Sequence, residues 1–224
     1  MEQLLRKENA IFEVLQKFLD EKLEFIVVGG YAVSAYKHRF SVDADIVIQS
    51  KDLEKFESIL KKDQFEKTRE KKLENIYSSS FIRYEKDTAS FDILIEALAA
   101  RTTGATFSYG LLHQHSATKK IIGIEKEVEA KIPMKEMIIV MKIHSGRLTD
   151  FRDIVALAKS TDLEMIRKLL FIGDVNVVRH NLAKLSEISD RKGFIDSFKG
   201  VFMEKKFDAD LEQVKRISKL ELKT

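Results

Sequence analysis

The chain has 224 residues, 44% hydrophobic and 33% charged, which is the composition of a folded globular protein and excludes a disordered one. It contains no cysteine, so disulfide frameworks and thiolate metal sites are excluded as well. A net charge of +3 is too small to argue for nucleic-acid binding by itself.

The polar start, MEQLLRKENA, does not read as a secretory signal. Apolar runs such as FIVV and MIIVM are too short to span a bilayer. The expectation is a cytoplasmic protein without a membrane segment. Residues 2–22 carry Leu4, Leu5, Ile11, Phe12, Leu15, Phe18 and Leu19 at helical spacing. Residues 24–28, EFIVV, read as a buried strand that ends at Gly29-Gly30, and Tyr31–Tyr36 can begin a helix. A second strand is expected at 42–48 and a helix at 51–61, with Leu53, Phe56, Ile59 and Leu60 on one side. The Lys/Glu-rich stretch 61–75 reads as a solvated helix end and loop. Strands follow near 76–84 and at 89–95, then a hairpin over 119–131.

From Pro133 the pattern turns helical, and Pro133 suits the first turn of its helix. Further helices fit 149–159, 162–171, 175–188, 192–203 and 208–220, with Thr149 or Asp150 capping the first and Asp162 the second. The expected organisation is α+β. A mixed β-sheet domain flanked by helices occupies 1–132, and an all-helical C-terminal domain occupies 133–224.

Three features carry chemistry: Gly29-Gly30, Asp43-Ala44-Asp45, and Asp92. On a strand, residues i and i+2 share a face, so Asp43 and Asp45 project together, with Arg39 and Ser41 if that strand reaches back. Adjacent carboxylates repel unless a cation neutralises them, and hard oxygens favour Mg²⁺ or Mn²⁺. Asp92, between Phe91 and Ile93, adds a third carboxylate if its strand lies beside the first. Three carboxylates can hold two divalent ions for phosphoryl or nucleotidyl transfer. A strand, Gly-Gly and a helix leave backbone N–H groups open to phosphate, with Ser34 and Lys37 on the following turns.

FIVVGGYAVSAYKHRFSVDADIVI followed by SFDILIEAL resembles the nucleotidyltransferase superfamily, with the DNA polymerase β-like fold; twelve residues separate Gly30 from Asp43. Within it the chain looks most like the AbiEii-like group, which includes type IV toxin nucleotidyltransferases. That group has an Arg-x-Thr-x-Asp-x-Asp strand, and Arg39, Ser41, Asp43 and Asp45 match it with Ser for Thr. The group also has a helical motif, matched by Lys142, Arg147, Asp150 and Asp153.

The resemblance implies transfer of a nucleoside monophosphate from an NTP to tRNA, a protein or a small molecule such as an antibiotic, with release of pyrophosphate. It implies Asp43, Asp45 and Asp92 as catalytic residues and as ligands of Mg²⁺ or Mn²⁺. Gly29, Gly30, Ser34, Lys37, Arg39, Ser41, Lys142 and Arg147 are the implied nucleotide-binding residues, and an antitoxin is the implied partner. Lys142, Arg147, Asp150 and Asp153 read equally well as an ion-pair network between packed helices. Arg39 is placed to brace Asp43 or Asp45, and Glu96 is a fallback acid should the register shift.

Two other functions are weighed: a catalytically silent nucleotide- or partner-binding module, and a cyclase-like or phosphohydrolase activity. His113 and His115 have no third ligand nearby and read as a loop pair. His144 reads as a surface residue. Phe194, Phe198, Phe202 and Phe207 read as core.

Overall fold

A computed structural model describes residues 2–41, 43–72, 80–87, 89–191, 193–198, 201–202 and 208–222. The chain divides into two compact units: residues 1–98 with 107–133, and residues 99–106 with 134–224.

The first unit begins with α1 (Glu2–Asp20), which buries Ile11, Phe12, Leu15 and Phe18 along one stripe. Then come β1 (Phe25–Val28), α2 (Gly29–Ser34), β2 (Asp43–Ile48) and α3 (Leu53–Lys62). The strands β3 (Glu66–Lys72), β4 (Ser80–Lys86) and β5 (Ala89–Ile95) follow. A short ribbon, β6 (Ala97–Ala100) and β7 (Ala105–Ser108), precedes α4 (Tyr109–Gln114), β8 (Ser116–Ile122) and β9 (Glu127–Pro133).

Seven strands form one sheet in the order β3-β4-β5-β2-β1-β9-β8. It is mixed: β2–β5 and β1–β9 are parallel, and the other pairs are antiparallel. Alternation along the strands gives the sheet two different faces. One carries Phe25 and Phe91, which meet Phe18 of α1 and Phe56 of α3 in an edge-to-face cluster, with ring centroids 4.7–6.1 Å apart. The other carries Asp43, Asp45 and Asp92. Because β1 is buried along its whole length, its sequence is a plain apolar run.

The stretch read as helix end and loop contains a strand. β3, EKTREKK, is an edge strand exposed over residues 66–71, and its charges protect a free edge. With no buried side it has no apolar alternation to detect. The start of the strand read near 76 lies outside the described residues.

The second unit holds α5 (Lys135–Ser145), α6 (Leu148–Leu157), α7 (Leu163–Leu169), α8 (Val175–Ser189) and α9 (Leu211–Ser218). Pro133 ends β9, so the helix starts two residues later than its proline suggests. Asp162 caps α7 as expected, accepting from the Glu164 and Met165 N–H groups. The first residue before α6 is Arg147, whose backbone N–H donates to Asp150 at 3.2 Å, so Asp150 acts from inside the first turn. The helix expected at 192–203 is a short 3₁₀ turn at Ile195–Phe198, with part of the range outside the described residues. Phe194, Phe198 and Phe202 are buried against one another; Phe207 lies outside the described residues. Among the described residues, no helix is long and apolar enough to cross a membrane.

Candidate active site

The site grows from the end of β1. Gly29 follows Val28 directly and takes φ +64°, in the left-handed region where a side chain is strained. A Cβ on Gly29 would lie 2.8 Å from Asp45 Cγ, inside the space of that carboxylate. A Cβ on Gly30 would lie 2.9 Å from the Ser41 Cβ. The Gly-Gly pair is therefore dictated by two side chains that press on the backbone, Asp45 and Ser41.

The segment between them is fastened from below. Tyr31 is buried against Phe12 and donates its phenol to the Ser41 carbonyl at 3.2 Å. Burial, and then the charges of Glu8 and Asp43, hold the Tyr31 phenol above its ordinary pKa, so it remains a donor. Ser41 Oγ donates to the Asp43 carbonyl at 3.2 Å. Arg39 Nε donates to the Phe40 carbonyl at 3.3 Å. Ser34 is buried in α2, and the Lys37 N–H closes the following turn on Val33.

Across the sheet, register does the assembling. Val28 pairs with Asp45, Asp45 with Asp92, and Asp92 with Arg83, so one row runs Val28–Asp45–Asp92–Arg83 over four strands. The next row pairs Asp43 with Ser90, whose hydroxyl donates to the Asp43 carboxylate. Direct pairing puts Cβ atoms about 5 Å apart on one face. The three acids expected from sequence thus share one face.

Sequence reading missed Arg83. Its Nε donates to Asp92 Oδ1 and its Nη2 to Oδ2, both at 2.7 Å, a two-pronged bridge on a carboxylate that is 7% exposed. The bond to Asp92 pushes the arginine pKa up; partial burial opposes this, and the charges of Asp92, Asp43 and Glu85 reinforce it. The guanidinium sits 5.9 Å from the Phe81 ring centre. The signal was a lone arginine between Ile82 and Tyr84, inward-facing residues of β4. Only the β4–β5 register ties it to Asp92.

Donor chemistry fits a divalent ion at Asp43 and Asp45: two hard carboxylates on one face beside the Gly29-Gly30 turn. Asp92 is committed to Arg83 instead. Among the described residues, no three His, Cys, Asp or Glu side chains gather in a way that could hold a metal ion.

The remaining motif residues lie in the helical unit and close on one another. Lys142 Nζ lies 2.8 Å from Asp150 Oδ1 and 2.8 Å from Asp153 Oδ2, with both carboxylates buried. Burial disfavours the lysine charge, but Asp153 and Asp150 outweigh it and hold its pKa above the ordinary value. Burial alone would raise the Asp150 pKa; Lys142 and Arg147 bring it down to about 2. Arg147 reaches Asp150 at 2.8 Å from a side chain that is 70% exposed.

His144 is not a surface residue. It is fully buried, its Nδ1 lies 2.8 Å from Thr103 Oγ1, and burial lowers its pKa to about 4. His113 lies in the last turn of α4, with its ring nitrogen against Lys131. Glu96 accepts from the Ser50 N–H and serves the turn after β5.

No family model and no curated protein matches the chain. Solved structures do. JHP933 from Helicobacter pylori matches over 97% of this chain and 91% of its own, at 16% identity and a TM-score of 0.51. The antibiotic-resistance factor ANT(2'')-Ia in solution matches over 80% of this chain and 94% of its own, at 14% identity and a TM-score of 0.52. Its crystal structure in complex with adenylyl-2''-tobramycin matches over 76% and 95%, at 16% identity and a TM-score of 0.52. The chain has a nucleotidyltransferase fold. At these identities the likeness is one of fold, and the acid row carries any further argument.

Proposed function

We propose that the chain transfers a nucleoside monophosphate from an NTP to an acceptor hydroxyl and releases pyrophosphate. The observation that carries this reading is the row in which Asp45 and Asp92 are direct register partners, beside a glycine whose Cβ the Asp45 carboxylate excludes. Acids placed side by side on one face repel one another, and such placements cluster at functional sites.

In this proposal residues 1–132 form the catalytic domain and residues 133–224 a helical domain. Asp43 and Asp45 hold Mg²⁺ or Mn²⁺, which supplies charge neutralisation for the triphosphate. Gly29 and Gly30 cradle the phosphates with their backbone. Asp92 orients the acceptor hydroxyl and accepts its proton as the oxygen bonds to the α-phosphorus. The bond from the α-phosphorus to the pyrophosphate oxygen breaks in the same displacement. Ser34, Lys37, Arg39 and Ser41 shape the segment that meets the nucleotide. Lys142 and Arg147 are the nucleotide-binding candidates of the helical domain; Asp150 and Asp153 lie against Lys142, and Asp150 against Arg147.

The finer reading, an AbiEii-like toxin enzyme with an antitoxin partner in the cytoplasm, rests on the Arg39-x-Ser41-x-Asp43-x-Asp45 strand. A small-molecule acceptor gains support from the neighbour bound to adenylyl-2''-tobramycin. One observation favours a silent binding module: both Asp92 oxygens are bonded to Arg83. The test is incubation with α-labelled NTPs, divalent metal and three acceptor pools: tRNA, total protein and aminoglycosides. We expect label on one pool with pyrophosphate release, lost in Asp43→Asn/Asp45→Asn. Orthophosphate release would instead mean a phosphohydrolase, and no turnover a silent module.

A further inference from the structure

The row Asp45–Asp92–Arg83 contains its own cation. We propose that Arg83 acts as a latch on Asp92: in the resting protein it takes the place of a divalent ion there, so the resting site takes up one ion, at Asp43 and Asp45, rather than two. This deepens the proposed function and rests on it.

Three observations carry the latch. First, the bridge is complete: two donors of a planar fork meet both carboxylate oxygens at 2.7 Å, the geometry guanidinium recognises best. Second, the sheet fixes the order. Asp92 has Asp45 on one side and Arg83 on the other, so the guanidinium offsets the repulsion between neighbouring acids. A second divalent ion approaching Asp92 meets that fixed positive charge. Third, the latch can open only by movement. Arginine does not lose its proton in proteins, so the bridge does not open by deprotonation of Arg83. Room for the movement exists: the Arg83 side chain is 31% exposed and rests near the Phe81 ring, while Asp92 beneath it is 9% exposed.

Arg83 is thus a positioning residue that acts through Asp92, and its effect is read in metal binding without nucleotide. Manganese(II) titrations of the full chain, followed by the loss of the free-ion paramagnetic resonance signal, would compare wild type, Arg83→Gln, Arg83→Lys and Arg83→Gln/Asp92→Asn. We expect one ion on wild type. Arg83→Gln should take up a second ion, or bind manganese about tenfold or more tightly, as removal of an adjacent opposing charge dictates. The added Asp92→Asn should abolish that gain. Arg83→Lys keeps the charge but loses the fork, so it should fall between wild type and Arg83→Gln; it also serves as the test should Arg83→Gln fail to fold. Equal or weaker binding by both Arg83 variants would overturn the latch. Wild-type binding that survives Asp43→Asn/Asp45→Asn would instead overturn the metal site itself.

Discussion

Two regions of this molecule gather aspartates, and they handle the charge in opposite ways. In the helical unit Asp150 and Asp153 are buried, and one lysine lies 2.8 Å from both. In the sheet, Asp43, Asp45 and Asp92 stand beside one another, with a two-pronged arginine on Asp92 and a serine hydroxyl on Asp43. Buried charges that match within their own unit hold the fold.

The largest break in this comparison is Lys142→Met. It removes the lysine that two buried carboxylates share, and a loss of about 3–5 kcal/mol in denaturant unfolding is expected. A loss below about 1 kcal/mol would mean that the cluster is not structural.

Acid should find the same unit next. His144 is neutral when folded, with a pKa of about 4 against 6.5, so the unfolded chain binds its proton first. Stability is complete above pH 6.5 and falls as the pH drops toward 4, by up to about 3 kcal/mol at 1.36 kcal/mol per unit. Asp150, brought from 3.8 down to about 2, extends the loss from below pH 4 toward 2. His144→Gln should flatten only the upper leg of a stability curve measured against pH.

Gly29→Ala belongs to the sheet and is smaller. Left-handed geometry costs about 1–2 kcal/mol for a residue with a Cβ, and the Asp45 carboxylate must also move. A melting curve that drops together with nucleotide affinity would tie the glycine to the acid row. A drop in stability alone would make it a turn residue.

Smallest of all, Asp43→Asn should change stability by about 0.5 kcal/mol or less, since an amide oxygen can still accept from the Ser90 hydroxyl. Thermal unfolding checks this. A loss like that of Lys142→Met would erase the difference between the two regions.

Much of the site could be read from the chain. Period-2 logic put Asp43 and Asp45 on one face, and β-branched runs marked β1 and β2. The glycines signalled close approach, although it is Asp45 and Ser41 that force it. What escaped was whatever depends on pairing. Arg83 is, in sequence, an arginine between two apolar-faced neighbours, and only the β4–β5 register sets it against Asp92. β3 has no apolar face and so no strand signature. His144 looked solvated because its partner, Thr103, lies forty-one residues earlier. Local chemistry is written locally; partners across the sheet or bundle are not.

The most direct measurement is calorimetric titration of the four NTPs into the full chain, with and without Mg²⁺. Wild type should be compared with Asp43→Asn/Asp45→Asn. The account predicts binding of at least one NTP that requires the metal and disappears in the double variant while its melting temperature holds. Binding that persists in the double variant, or no binding of any NTP by the wild type, would contradict it.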